Sequence, residues 1–159
     1  MNTQDFLPTL FAGSALAIQT LLVLNFAARH WAPRQERRWG WIIYALGLPA
    51  LGLSALFSLA RQPWYHGLAY LLFAAWAAFG CVVDILRPVN WRTPPRWAIF
   101  GPYVALYLAA QFAFWIPLWN VGPGYWAAYT ALYAVSTLLN ISSHARPRQT
   151  VGVGRQVRS

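Results

Sequence analysis

The apolar residues of this chain fall into five nearly continuous blocks, roughly Leu7–Ala28, Trp41–Ala60, Gly67–Leu86, Ala98–Trp119 and Tyr125–Ser143. About 20 apolar residues in a helix are enough to cross a hydrocarbon core. Every block is close to that length. The pattern therefore predicts an all-α membrane protein, a bundle of five transmembrane helices. Polar positions sort just as clearly. Eleven of the twelve basic residues, all arginine, lie in the first gap (Arg29, Arg34, Arg37, Arg38), the third gap (Arg87, Arg92, Arg96) and the tail (Arg146, Arg148, Arg155, Arg158). The second gap holds Arg61 alone, and the fourth holds none. Loops rich in positive charge stay cytoplasmic. The expected topology places the N-terminus outside and the C-terminus in the cytoplasm, in a bacterial cytoplasmic (inner) membrane.

Composition agrees with this class. Hydrophobic residues make up 58% and charged residues 9%, against roughly 25% charged in ordinary soluble domains. Five spans with short loops use nearly all of the 159 residues, so 1–144 reads as one transmembrane domain. Residues 145–159, rich in Arg, Gln, Gly and Val, read as a basic, disordered cytoplasmic tail. A formal charge of +9 would suggest nucleic acid in a soluble protein. Here the arginines flank helix ends, where each contributes about 1 kcal/mol at an anionic lipid surface. Membrane lipids are thus the expected partners, and nucleic acid is not. The first block reads as a retained helix rather than a signal peptide, because Asp5 precedes it and the bases follow it.

Small residues let helices approach one another in lipid. Gly13, Ser14 and Ala17 offer such a face in the first block, and Ala74, Ala78 and Cys81 in the third. Gly47 and Gly52 flank Pro49 in the second, which is expected to bend there. Gln19, Asn25, Gln111, Thr130, Ser136, Thr137 and Asn140 are polar residues within spans, expected mostly as interhelical hydrogen-bond partners.

Several functional classes can be set aside. With no lysine, the chain cannot form the Schiff base of an ordinary rhodopsin. His30 and His144 fall at cytoplasmic helix ends and His66 at the outer surface, which does not suit paired axial haem ligands within a bundle. Cys81 is the lone cysteine. The known metal, nucleotide and nucleophile motifs are missing, so a non-catalytic protein is expected. Asp84 is the only carboxylate within a predicted span. Intramembrane acids are costly and often functional. Arg87, at i+3, supplies an alternative: an ion pair at the interface.

Ten tryptophans are the least ordinary count. Trp31, Trp39, Trp41, Trp64, Trp119 and Trp126 flank span ends, where indoles anchor at headgroup level. Trp76 and Trp115 lie farther in, and Trp91 and Trp97 belong to the third loop. That loop also holds Pro88, Pro94 and Pro95, which restrict its backbone, and its rings and guanidiniums offer flat stacking faces.

The run Arg87-Pro88, Trp91, Pro94-Pro95, Trp97, Gly101-Pro102 and Leu106-Tyr107 resembles the first-loop signature of the TspO/translocator family of tryptophan-rich sensory proteins. Ser136-Thr137-Leu138-Leu139-Asn140 is similar to a stretch in that family's last helix. The loop follows the third span here and the first in the family, and spacings differ by a residue at three points. The resemblance implies a five-helix protein that binds porphyrins or sterol-like lipids beneath the loop. A tetrapyrrole is the one cofactor-like group it brings in. The expected ligand site then comprises Asp84, Trp91, Pro94, Pro95, Trp97, Tyr103, Tyr107 and Asn140. Two other roles stand beside the binder: an accessory subunit packed in a larger membrane complex or homo-oligomer, and a small-solute transporter.

Overall fold

The structure is a computed structural model and describes residues 3–32, 34–35, 40–87 and 96–145. The described part is helical, with no strand. Five long helices account for almost all of it: α1 (Thr3–Trp31), α2 (Trp41–Leu59), α3 (Trp64–Leu86), α4 (Trp97–Val121) and α5 (Pro123–Ala145). Four contain a stretch long and apolar enough to cross a membrane: Phe6–Trp31, Trp41–Leu59, Trp64–Leu86 and Trp97–Val121. The fifth, α5, has 23 residues but carries tyrosine, serine, threonine and asparagine, and is not among the four. The expected basic tail beyond Ala145 lies outside the described residues, as do Trp91, Pro94 and Pro95.

Proline decides the internal breaks. In α2 the helix divides at Leu46 into Trp41–Ala45 and Gly47–Leu59. Pro49 has no N–H to bond the carbonyl of Ala45, and its ring crowds that carbonyl. The interruption falls about one turn before Pro49, where the sequence leads one to expect a bend, and the backbone at Leu46 itself stays right-handed helical. By contrast, α4 runs continuously through Pro102 and Pro117.

The turn from α2 to α3 is tight. Arg61 adopts a left-handed φ of 53°. Its N–H reaches the Ser58 carbonyl at 3.1 Å, while Gln62 N–H reaches Phe57 at 3.0 Å. This satisfies carbonyls at the helix end in the way a glycine usually allows. Pro63 then blocks further helix and opens α3.

The packing order is not the chain order. Neighbours α2 and α3 pack closely, as do α3 and α4, but α1 lies mainly against α5 and meets α2 at few points, among them its first turn and Phe57. The buried face of α1 is Phe11, Ala12, Ala15, Ile18, Gln19, Leu22 and Phe26. Gly13 and Ala17, expected at a helix contact, instead face outward. In α3 the close face is Ala74, Ala77 and Gly80, while Ala78 is exposed. The small residues expected there were displaced by one position because glycine, not alanine, marks the closest approach.

The bundle has two distinguishable ends. The turn end holds the short connections Ala60–Pro63 and Gly122; the basic end holds Arg29, Arg87 and Arg96.

Candidate ligand site

The third helix changes its winding before it ends. Val82–Leu86 is a π-helix, and Arg87 N–H closes it by reaching the Val82 carbonyl at 2.8 Å, five residues back. Such segments are rare and concentrate at functional sites. Asp84 lies at the centre of this one. Its carboxylate accepts a hydrogen bond from the Tyr44 hydroxyl, reaching across to α2. Arg87, the expected i+3 partner of Asp84, is exposed where this segment ends.

Two glycines make the Tyr44–Asp84 bond reachable. A Cβ on Gly47 would lie 3.0 Å from the Ala77 Cβ, and a Cβ on Gly80 would strike the Tyr44 ring. Without these two side chains, α2 approaches α3 closely enough for the phenol to lie flat across the helix and meet the carboxylate. The Tyr103 hydroxyl, from α4, approaches Tyr44 as well. Asp84, Tyr44 and Tyr103 thus join three helices near the basic end.

Trp76 lies deeper, near the midpoint of α3, and is 2% exposed. Rings surround it: Tyr107 at 5.6 Å, Phe73 at 5.6 Å, Tyr103 at 5.7 Å and Tyr44 at 6.0 Å between centroids. These distances are ordinary for tilted aromatic pairs. The polar atoms are less ordinary. Trp76 Nε1 and the Tyr107 hydroxyl are both buried and neither has a hydrogen-bond partner.

Next to Tyr107 the same condition continues into α1 and α5. Gln19 Nε2 donates to Ser136 Oγ at 2.8 Å, and Ser136 Oγ donates to the Tyr133 carbonyl at 2.9 Å. The serine proton is committed to that carbonyl, so Ser136 can only accept from Gln19. This fixes the orientation of the amide and leaves Gln19 Oε1 as the outer atom, buried and unpaired. The Tyr107 hydroxyl is directed at Ser136, whose oxygen already accepts from Gln19, and the neighbouring Thr137 hydroxyl is buried and unpaired. Four helices therefore each bring one orphaned polar atom to the middle of the bundle.

The turn-end half is different. Phe11, Phe57, His66, Tyr70 and Phe114 interlock, with centroids from 4.4 to 5.9 Å along the contacts of Phe11. Its polar groups are mostly paired: Tyr129 donates to Gln111 Oε1 at 2.7 Å, Trp115 Nε1 to Thr130 Oγ1 at 2.8 Å, and Tyr70 bonds Ser14. His66, expected at the surface, is 6% exposed, because Phe11, Phe57 and Tyr65 close over it. At the opposite end, His30 bonds Ser142 Oγ at 2.8 Å and ties α1 to α5. Among the described residues no three His, Cys, Asp or Glu side chains gather as a metal site.

Of the expected site residues, Asp84, Tyr103 and Tyr107 line the region around Trp76. Asn140 is half-buried on α5 and already engaged with a neighbour. Trp97 is 72% exposed and packs edge-on to Phe100 at 5.4 Å. It does not cover the cluster. Tyr44, Trp76 and Gln19 were not expected in the site. The signal for Tyr44 was Gly80, a glycine inside an apolar helix, which often marks a close approach.

No family model, curated protein or solved structure matches the chain.

Proposed function

We propose that this protein is an integral membrane binder of a flat or lipid-like hydrophobic ligand, porphyrin- or sterol-like in shape, and is non-catalytic. One observation carries the reading: a buried indole, ringed by three tyrosines, keeps an N–H with no hydrogen-bond partner among the described residues. Leaving a buried donor unsatisfied costs about 1–3 kcal/mol each. Water is scarce inside a bilayer, so a bound molecule is the natural partner. The aromatic walls suit a planar or ring-fused body. A distant place in the TspO/translocator family belongs to the same proposal, and with it a binding role for Trp91, Pro94 and Pro95. In this reading a tetrapyrrole is held by its rings, since His30 and His66 lie at opposite ends of the bundle.

The proposed topology has all five helices crossing, with the basic end cytoplasmic. In a Cys81→Ala background, Asn2→Cys and Gly122→Cys should react with an impermeant thiol reagent on intact bacterial cells, while Thr93→Cys and Gln149→Cys should not. Labelling of the Thr93 site from outside overturns the orientation.

The binding test is a tryptophan-fluorescence titration of the detergent-purified protein with a porphyrin and, separately, with a steroid. Saturable one-to-one quenching by either, weakened in Trp76→Phe and Tyr107→Phe, is the expected result. If neither probe binds, the reading is overturned. An accessory-subunit role is favoured by a different observation. Gly101, Ala105 and Ala109 form an exposed small-residue strip on α4, of the sort that packs against another span. Mild-detergent purification that brings down a stoichiometric second protein would support it.

A further inference from the structure

The four orphaned atoms restrict the chemistry of what enters the bundle. We infer that the ligand is anchored midway across the membrane by a neutral hydrogen-bond acceptor, a ring carbonyl of the ketone or quinone type, held by Trp76 Nε1 and the Tyr107 hydroxyl. The inference rests on the binder reading and narrows it to one kind of polar group.

An indole N–H only donates. Trp76 Nε1 is buried without an acceptor, so the group that meets it must offer a lone pair. The Tyr107 hydroxyl, on the ring packed 5.6 Å from Trp76, can donate to the same oxygen. An sp² carbonyl oxygen has two lone pairs in one plane and takes two donors at once.

Charge selects among acceptors. The described arginines lie at helix ends or in connections: Arg29, Arg34, Arg61, Arg87 and Arg96. None is placed along the middle of a span to neutralise a carboxylate or phosphate. The carboxylate of Asp84 lies toward the basic end of the same aromatic cluster, which further disfavours an anion. A bare anion in such surroundings would pay a large desolvation cost. A cation has no use for two donors.

The ring body of the ligand then has a defined place. Tyr103 and Phe73 flank Trp76, and Tyr103 also contacts Phe79 at 6.5 Å, extending the aromatic wall toward the basic end. Gln19 Oε1 and Thr137 Oγ1, also buried and unpaired, would give a second contact to a ligand that carries a hydroxyl as well.

The test compares three probes of one skeleton: a steroid enone, the matching steroid hydrocarbon and a steroid carboxylate. Binding is read by tryptophan quenching in detergent micelles, and the enone carbonyl is followed by infrared difference spectroscopy. The enone should bind at least about tenfold more tightly than the hydrocarbon, the factor expected for two modest hydrogen bonds. Its carbonyl stretch should move to lower frequency on binding. Tyr107→Phe and Trp76→Phe should each remove most of that preference, read within each variant as the ratio of enone to hydrocarbon affinity, with the frequency shift reduced. Hydrocarbon binding and the unfolding temperature together report that each variant remains folded. The carboxylate should bind more weakly than the enone.

Equal binding of enone and hydrocarbon, or an enone preference that survives both substitutions, overturns the carbonyl anchor and leaves the binder reading standing. Tightest binding by the carboxylate overturns it as well. Failure of all three probes to bind removes both readings together.

Discussion

Trp115 and Trp76 both lie inside their helices, one in each half of the bundle, and their indoles end differently. Trp115 donates to Thr130 at 2.8 Å, and Thr130 passes its own proton to the Trp126 carbonyl at 2.7 Å. Trp76 donates to nothing among the described residues. The same contrast separates Tyr129, bonded to Gln111, from Tyr107, which is not. The turn-end half is close to a finished core, with polar groups paired and rings interlocked. Its one orphan, His66 Nδ1, is in the first turn of α3. Toward the basic end, beyond that core and before the Tyr44–Asp84 and His30–Ser142 bonds, the middle of the bundle holds four atoms that lack partners among the described residues. A protein that pairs its interior polar groups on either side of its middle, and not there, carries a cost at that level, which is where the proposed ligand would bind.

The largest effect should come from the packed half. Phe114 touches Phe11, Tyr70, Phe73 and Tyr129, so Phe114→Ala should destabilise by about 3 kcal/mol through the cavity left behind. Denaturant unfolding in detergent measures it. A loss below about 1 kcal/mol would mean that this half is no better packed than the other.

Next is the glycine that seats Tyr44. Gly80→Ala places a methyl group in the phenol ring and should cost about 2 kcal/mol by overpacking. Gly101→Ala, where nothing lies within 4 Å, serves as the control and should be neutral. Equal effects would show that the close approach of α2 and α3 is not a constraint.

The sharpest form of the comparison is a pair of identical changes. Tyr129→Phe removes the donor to Gln111 Oε1 and strands that acceptor, and should cost about 1–2 kcal/mol. Tyr107→Phe removes a group that was already unpaired and should leave the ligand-free protein within about 0.5 kcal/mol of wild type, or slightly more stable. If the two variants lose the same stability, the distinction between the halves fails.

A small effect is expected of Asp84→Asn as well. The amide keeps a carbonyl oxygen for the Tyr44 hydroxyl and removes a charge from a low-dielectric region. A change below about 1 kcal/mol is expected in the same unfolding assay. A larger loss would mean that the negative charge itself holds the π segment in place.

The outline of this arrangement was legible in the sequence because it depends on length and polarity alone. Leu7–Ala28 became Thr3–Trp31, and Trp41–Ala60 became Trp41–Leu59, within a few residues at each end. Helix faces were harder. With nearly every position apolar, no polar stripe marks the outside, and the face of α3 came out one residue from Ala78 to Ala77. The candidate site was legible only in part. Tyr103 and Tyr107 were expected through the loop motif, and Asp84 through its charge. The bond to Tyr44 spans 40 positions and depends on a π turn in Val-Val-Asp-Ile-Leu, a string with no proline, glycine or serine to announce it. Trp76 looked like any interior indole. Its lack of a partner is a property of three-dimensional surroundings and has no counterpart in residue order.

Pairing the first helix with the last has a consequence for biosynthesis. The Gln19 amide meets Ser136 only after a further 117 positions of chain have been made. At about 5–20 residues per second, that is a delay on the order of ten seconds. Throughout it, α1 has a carboxamide on its inward face and its principal neighbour has yet to emerge. The polar side chain therefore marks a helix that is threaded early and docked late. Nascent chains truncated before Ser136 should still hold α1 in contact with the insertion machinery or a chaperone, and longer ones should release it.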